Sequence, residues 1–141
     1  MSHKLILEGG GDSLTAQELK DFEEQFRCSL PESFRDFYLE QNGGEVTDEE
    51  IVGEKLVSSF CSIRTGRFTV ESTYEDMLDQ HESSSEYDLR EMIPFAFPLF
   101  GGVFFLSVSP SSHGRIYLLI WDSGLEEVSS SFSEFLDWLR T

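Results

Sequence analysis

Val103–Val108, apolar but for Ser107, and Ile116–Trp121 are apolar runs of strand length, separated by the loop residues Ser109-Pro110-Ser111-Ser112-His113-Gly114. A strand with one wet face alternates apolar and polar side chains. These two do not alternate, so each is expected to be buried on both faces and to pair antiparallel with the other at the centre of a sheet. A chain of 141 residues has the length of one domain. It can bury about two thirds of the surface that its unfolded form exposes. Its 13 phenylalanines are more than a disordered chain carries.

Helices are marked around that pair. Residues 1–13, with Glu8-Gly9-Gly10-Gly11-Asp12, read as a flexible lead-in to a single domain over residues 14–141. Thr15-Ala16-Gln17-Glu18 is a capping box, and Leu19, Phe22 and Phe26 then recur at helical spacing up to Arg27. Leu30-Pro31 opens a second helix, since proline lacks only an N–H that the first turn leaves unused. Phe34, Phe37, Tyr38 and Leu39 form its apolar side, and Asn42-Gly43-Gly44 is expected to stop it through a left-handed glycine. Glu45–Glu54 reads as a loop or ragged strand. Lys55–Val70 reads as a hairpin turning at Thr65-Gly66-Arg67, and Thr73 as the cap of a short helix through Met77 and Leu78. His81–Asp88 is a surface loop and Leu125–Val128 a short strand. Ser131-Phe132-Ser133-Glu134 is a second capping box, opening a helix with Phe135, Leu136 and Leu139 inside. The expected class is α+β: an antiparallel or mixed sheet flanked by two N-terminal helices, a short middle helix and a C-terminal helix.

Charge narrows the function. The chain carries 27 acids and 10 bases, a net −17. A nucleic-acid binder needs a basic face, and an anionic membrane repels such a chain. No uninterrupted apolar stretch is long enough to span a bilayer, and Leu5-Ile6-Leu7 is too short for a signal peptide. Cys28 and Cys61 lie far apart in sequence among apolar neighbours, as buried free thiols do in a reducing compartment, so a cytoplasmic protein is expected, with a single disulfide between them as the alternative. Two windows, Glu40–Glu54 and Glu71–Glu91, hold 13 of the 17 excess negative charges.

Chemistry is sparse. His3, His81 and His113 stand apart, in no zinc or catalytic pattern. Asp48-Glu49-Glu50 lacks the order of a calcium loop. Gly9-Gly10-Gly11 follows no strand and opens no helix directly, so it is no phosphate cradle. No catalytic residue, metal site or cofactor is expected, and an enzyme would need a pocketed carboxylate or histidine with a displaced pKa.

The run Phe22-(x3)-Phe26-(x3)-Leu30-Pro31-(x2)-Phe34-Arg35-Asp36-Phe37-Tyr38-Leu39-(x2)-Asn42-Gly43-Gly44 resembles the opening signature of the SUKH superfamily. Ile93-Pro94-Phe95-Ala96, Gly101-Gly102, Gly114-Arg115-Ile116-Tyr117, Trp121-Asp122 and the closing Ser131-Phe132-(x2)-Phe135-Leu136-(x2)-Leu139 fit it too, from about Leu14 to Leu139. Members include bacterial immunity proteins and fungal cell-wall-synthesis regulators of the Smi/Knr type. The chain departs from the pattern at Phe97-Pro98-Leu99-Phe100, where an apolar patch for a dimer or partner is expected.

The resemblance implies an α+β fold without enzymatic activity. It also implies a protein that binds and blocks a toxin domain, commonly a nuclease, which is basic because it holds nucleic acid. An acidic inhibitor complements such a surface. Asp48, Glu49, Glu50 and Glu54, with Asp76, Asp79 and Glu82, are the residues expected to meet this basic partner. The signature residues Leu30, Pro31, Phe34, Phe37, Asn42, Gly43, Gly44, Trp121 and Phe135 are expected to be structural. A regulatory or scaffolding module of the Smi/Knr type is the alternative.

Overall fold

A computed structural model describes residues 6–47, 57–80, 88–121 and 123–140. Helix α1 (Ala16–Phe26) begins as its sequence requires. Thr15 Oγ1 accepts the Glu18 amide at 3.1 Å, and the Glu18 carboxylate accepts the Thr15 amide at 3.0 Å. Arg27 ends it with a left-handed φ of 53°. The Glu23 carboxylate then reaches forward to accept the Leu30 amide at 2.7 Å, holding the turn into α2 (Glu32–Glu40). Pro31 stands just before that helix, one place earlier than the first-turn position the sequence suggests. Its carbonyl accepts from Phe34 and Arg35, both at 3.1 Å.

The Asn42-Gly43-Gly44 signature does something other than stop α2. The helix has ended at Glu40, with Gln41 extended. Gly43 (φ +75°) and Gly44 (φ +127°) turn the chain into strand β2 (Gly44–Val46). A Cβ on Gly43 would stand 2.5 Å from the Cys61 carbonyl oxygen, so space and backbone angle both demand glycine. Asn42 is buried and fully used. Its Nδ2 donates to the carbonyls of Asp12 (2.8 Å) and Ile63 (2.9 Å), and its Oδ1 accepts the Ile63 amide (2.7 Å). One side chain thus ties three distant segments.

The seven strands form one antiparallel sheet in which every strand pairs with its neighbour in sequence. After β1 (Leu7–Glu8) and β2 come β3 (Val57–Phe60), β4 (Met92–Pro98), β5 (Gly102–Ser107), β6 (Ile116–Ile120) and β7 (Gly124–Ser129). The two runs without alternation are β5 and β6. They pair antiparallel without a register shift, Gly102 against Ile120 through Leu106 against Ile116. The middle strand is β4, next to β5. Helix α3 (Val70–Gln80) packs beside β4, and α4 (Phe132–Arg140) closes the chain.

Alternating side chains of β5 and β6 build two cores. Phe104, Leu106, Ile116 and Leu118 face one way, into a cluster with Leu19 and Phe22 of α1, Phe34, Phe37 and Tyr38 of α2, and Phe132, Phe135 and Leu139 of α4. Val103, Phe105 and Leu119 face the other way, into a smaller cluster with Met77 of α3, Leu89 and Met92. The α+β class follows as expected, with the sheet wholly antiparallel.

Four local expectations differ. Leu7 and Glu8, given to a lead-in, form β1 against Val46 and Glu45, and the Gly11 amide donates to the Asn42 carbonyl at 2.9 Å. The Thr65-Gly66-Arg67 turn joins no hairpin. It is the tip of a loop whose ends are tied where Ser62 donates to Phe68 O (3.0 Å) and Val70 donates to Ser62 O (2.7 Å). The middle helix starts at Val70 rather than after Thr73. Thr69 caps it, accepting the Ser72 amide at 3.1 Å, while Thr73 is buried. The second capping box is half made. Ser131 Oγ accepts the Glu134 amide (3.1 Å), whereas the Glu134 carboxylate takes the Ser130 hydroxyl in place of the Ser131 amide.

Candidate partner surface

Burial fixes which acids α3 presents. Val70, Thr73 and Met77 face inward, so Glu75, Asp76 and Asp79 are exposed, with Glu71 half-buried behind them. Among the described residues, each of the other three α-helices carries at least one base among its acids; α3 has four acids and none. Asp76 and Asp79, both expected partner residues, therefore share one exposed face. Asp48, Glu49, Glu50, Glu54 and Glu82 lie outside the described residues. Glu71 and Glu75 belong to the acidic window of the sequence but not to the expected contact residues, although the spacing of 71, 75 and 79 by four places them on one helical face.

Four arginines elsewhere are paired with other acids. Arg64 pairs with Glu18 (3.2 Å), Arg35 with Glu23 (3.9 Å) and Arg115 with Glu127 (3.0 Å). Arg90 holds Asp88 through two donors, at 3.0 and 3.1 Å, and that carboxylate raises its already high pKa. These exposed pairs add little stability, but they leave the α3 acids unneutralised by them. Among the described residues none of the ion pairs includes Glu75, Asp76 or Asp79. The Glu71 carboxylate accepts the Arg64 amide at 2.9 Å through one oxygen, and the other is buried without a partner.

The fold moves titratable groups in one direction. Burial pushes the Cys61 thiol up to about 12, against a weaker opposing hydrogen bond with Thr73, and pushes Cys28 up to about 11 with help from Glu23. Tyr38, fully buried, donates its hydroxyl to Cys61 O at 2.7 Å and is raised well above its ordinary value by burial. Both thiols are free, and Cys28 is half-buried rather than buried. His113 is exposed, its Nε2 on the Ser29 carbonyl. His3 and His81 lie outside the described residues, among which no group of three His, Cys, Asp or Glu is placed to hold a metal ion. No described helix is long and apolar enough to cross a membrane.

The apolar departure at the β4–β5 turn is also visible. Leu99 and Phe100 are exposed there, beside Trp121. The Trp121 amide donates to Gly101 O at 3.2 Å, and the indole lies so close that a Cβ on Gly101 would meet its Cδ1 at 2.3 Å.

These features describe an α+β domain that offers an acidic helix beside a core rich in phenylalanine and leucine. The chain belongs to the SMI1 / KNR4 family (SUKH-1), whose model matches residues 13–138. No curated protein matches it with significant similarity. The signature residues Leu30, Phe34, Phe37, Asn42 and Phe135 are buried. Pro31 and the two glycines shape turns, and Trp121 is exposed.

Proposed function

We propose that this chain is a non-enzymatic acidic binding protein of the immunity type, which holds a basic toxin domain and blocks it. The carrying observation is α3, whose exposed Glu75, Asp76 and Asp79 face solvent with no base on the helix. Unneutralised charge on a rigid element raises the encounter rate with an oppositely charged partner and costs little to bring into contact. The absence of catalysis is supported by the perturbed groups themselves. Cys28, Tyr38 and Cys61 are all shifted toward staying protonated, the opposite of what a nucleophile needs.

The partner to try first is the product of a neighbouring toxin gene, the context that the resemblance suggests. Asp76→Lys with Asp79→Lys is expected to slow association about tenfold at low salt while leaving the fold intact. An unchanged association rate across a salt series would sink the proposal. The second reading, a regulatory or scaffolding module, is equally compatible with the SMI1/KNR4 family; it predicts an association that salt hardly alters.

A further inference from the structure

The register sets Glu8 opposite Glu45, Glu45 opposite Ser59, and Ser59 opposite Phe97. Cross-strand partners point to the same face, so these four side chains form one row on the side of the sheet away from α1 and α2. Glu8 and Glu45 are exposed, on the floor of an open groove of about 580 Å³. Like charges directly opposite on paired strands are destabilising. A two-residue edge strand is a poor place to carry that cost for structural reasons. Neither carboxylate takes part in an ion pair with a described residue.

The wall of this groove is aromatic. Phe68, at 55% exposure, projects from the tied loop that leads into α3. One side of its ring is held by Phe97, centroids 6.1 Å apart and nearly perpendicular. The Arg67 guanidinium lies 5.3 Å from its centroid and is the one base in the lining. Gly9, Gly10 and Gly44 keep the near rim free of side chains.

We propose that this groove seats an arginine side chain from a loop of a basic protein partner. Its planar fork bridges Glu8 and Glu45, and its aliphatic stem lies along Phe68. A guanidinium can donate to two carboxylates at once and also favours an aromatic face, so it relieves the like-charge pair and covers the exposed ring together. The inference rests on the partner's being basic, but it uses residues that α3 does not contain.

The test is a titration of the ¹⁵N-labelled full chain with acetyl-Gly-Arg-Gly-Arg-Gly-amide at low salt, beside the lysine and glutamate versions of that peptide. The arginine peptide should shift the amides of Gly9, Gly10, Glu45, Ser59 and Phe68 most, with lysine weaker and glutamate inert. Glu8→Gln with Glu45→Gln should weaken binding about fivefold. Arg67→Gln should tighten it, whereas Asp76→Asn with Asp79→Asn should leave those shifts in place. Shifts spread evenly over the acidic helices, no localised shift, indifference to the double glutamine change, or preference for the glutamate peptide would each overturn the groove. A basic toxin domain that needs Asp76 and Asp79 but ignores Glu8 and Glu45 would overturn the groove while sparing the proposed function. Local peptide binding with no response from any basic protein domain would do the reverse.

Discussion

The two faces of the sheet are built from the same strands and finished differently. On one, helices α1, α2 and α4 enclose a continuous aromatic cluster. Phe95 meets Phe34, Phe132 and Phe135 at centroid distances of 5.9, 5.4 and 5.5 Å, each near perpendicular. On the other, the cluster around Phe105 draws only Met77 and Leu89 from outside the sheet, among the described residues. The same face carries the open row of Glu8, Glu45 and Ser59. The buried aromatic packing and the exposed charge thereby lie on opposite faces. The thick face can be rigid because nothing needs to reach it, and the thin face can present charge because little of the core depends on it.

That contrast can be broken by truncation. Phe95→Ala should cost about 3–5 kcal/mol, since its ring is fully buried and edge-packed on several others. Met77→Ala should cost about 2 kcal/mol, because the thinner layer can settle into the gap. Urea unfolding of both chains measures the difference, and equal costs would mean that the two faces are energetically alike.

A smaller loss than that of Phe95→Ala is expected from Asn42→Ala, about 2–3 kcal/mol. It strands the buried Ile63 amide and takes a donor from the carbonyls of Asp12 and Ile63, the second of which keeps the Thr65 amide. Proteolysis should then open the β1 side first. A loss under half that size would show that Asn42 is merely a turn residue.

The smallest effect is one of pH. Cys61 and Cys28 titrate near 12 and 11 in the fold, against an ordinary 9.0. A pKa raised on folding means that the unfolded chain gives up its proton first. This contribution is full below pH 9 and is lost as pH rises from 9 through about 12. Tyr38 adds a loss of the same sign at higher pH, and Glu71 close by strengthens the shift on both groups. Urea midpoints should fall between pH 8.5 and 10.5, and Cys61→Ala should make that fall shallower. The same slope in both chains would remove Cys61 from the account.

Much of this division was legible in the residues. Failure to alternate identified β5 and β6 as doubly buried, and capping chemistry located α1 and one end of α4. What stayed hidden is what depends on distant partners. Thr73 looked like a cap because Thr–x–x–Asp is a local pattern, yet its burial against Cys61 belongs to the core, and Thr69 takes the cap. Asn42 looked like a helix stop because its three bonds lie 21 to 30 residues away. β1 has two residues, too few for any periodicity. For the candidate surface, the charge windows led to Asp76 and Asp79, and no pattern in sequence could set Glu8 beside Glu45, since register alone does so.

The order of the strands has a consequence for how the chain is made. Each strand pairs with its sequence neighbour, so the sheet can assemble in the order in which it leaves the ribosome. The thick face cannot. Phe34 and Phe37 close on Phe132, at centroid distances of 4.9 and 5.4 Å, and Phe132 opens the last helix. Those ring contacts can form only after the residues of α4 have been synthesised. A copy that lacks α4 leaves the rings of Phe34 and Phe37 without this cover.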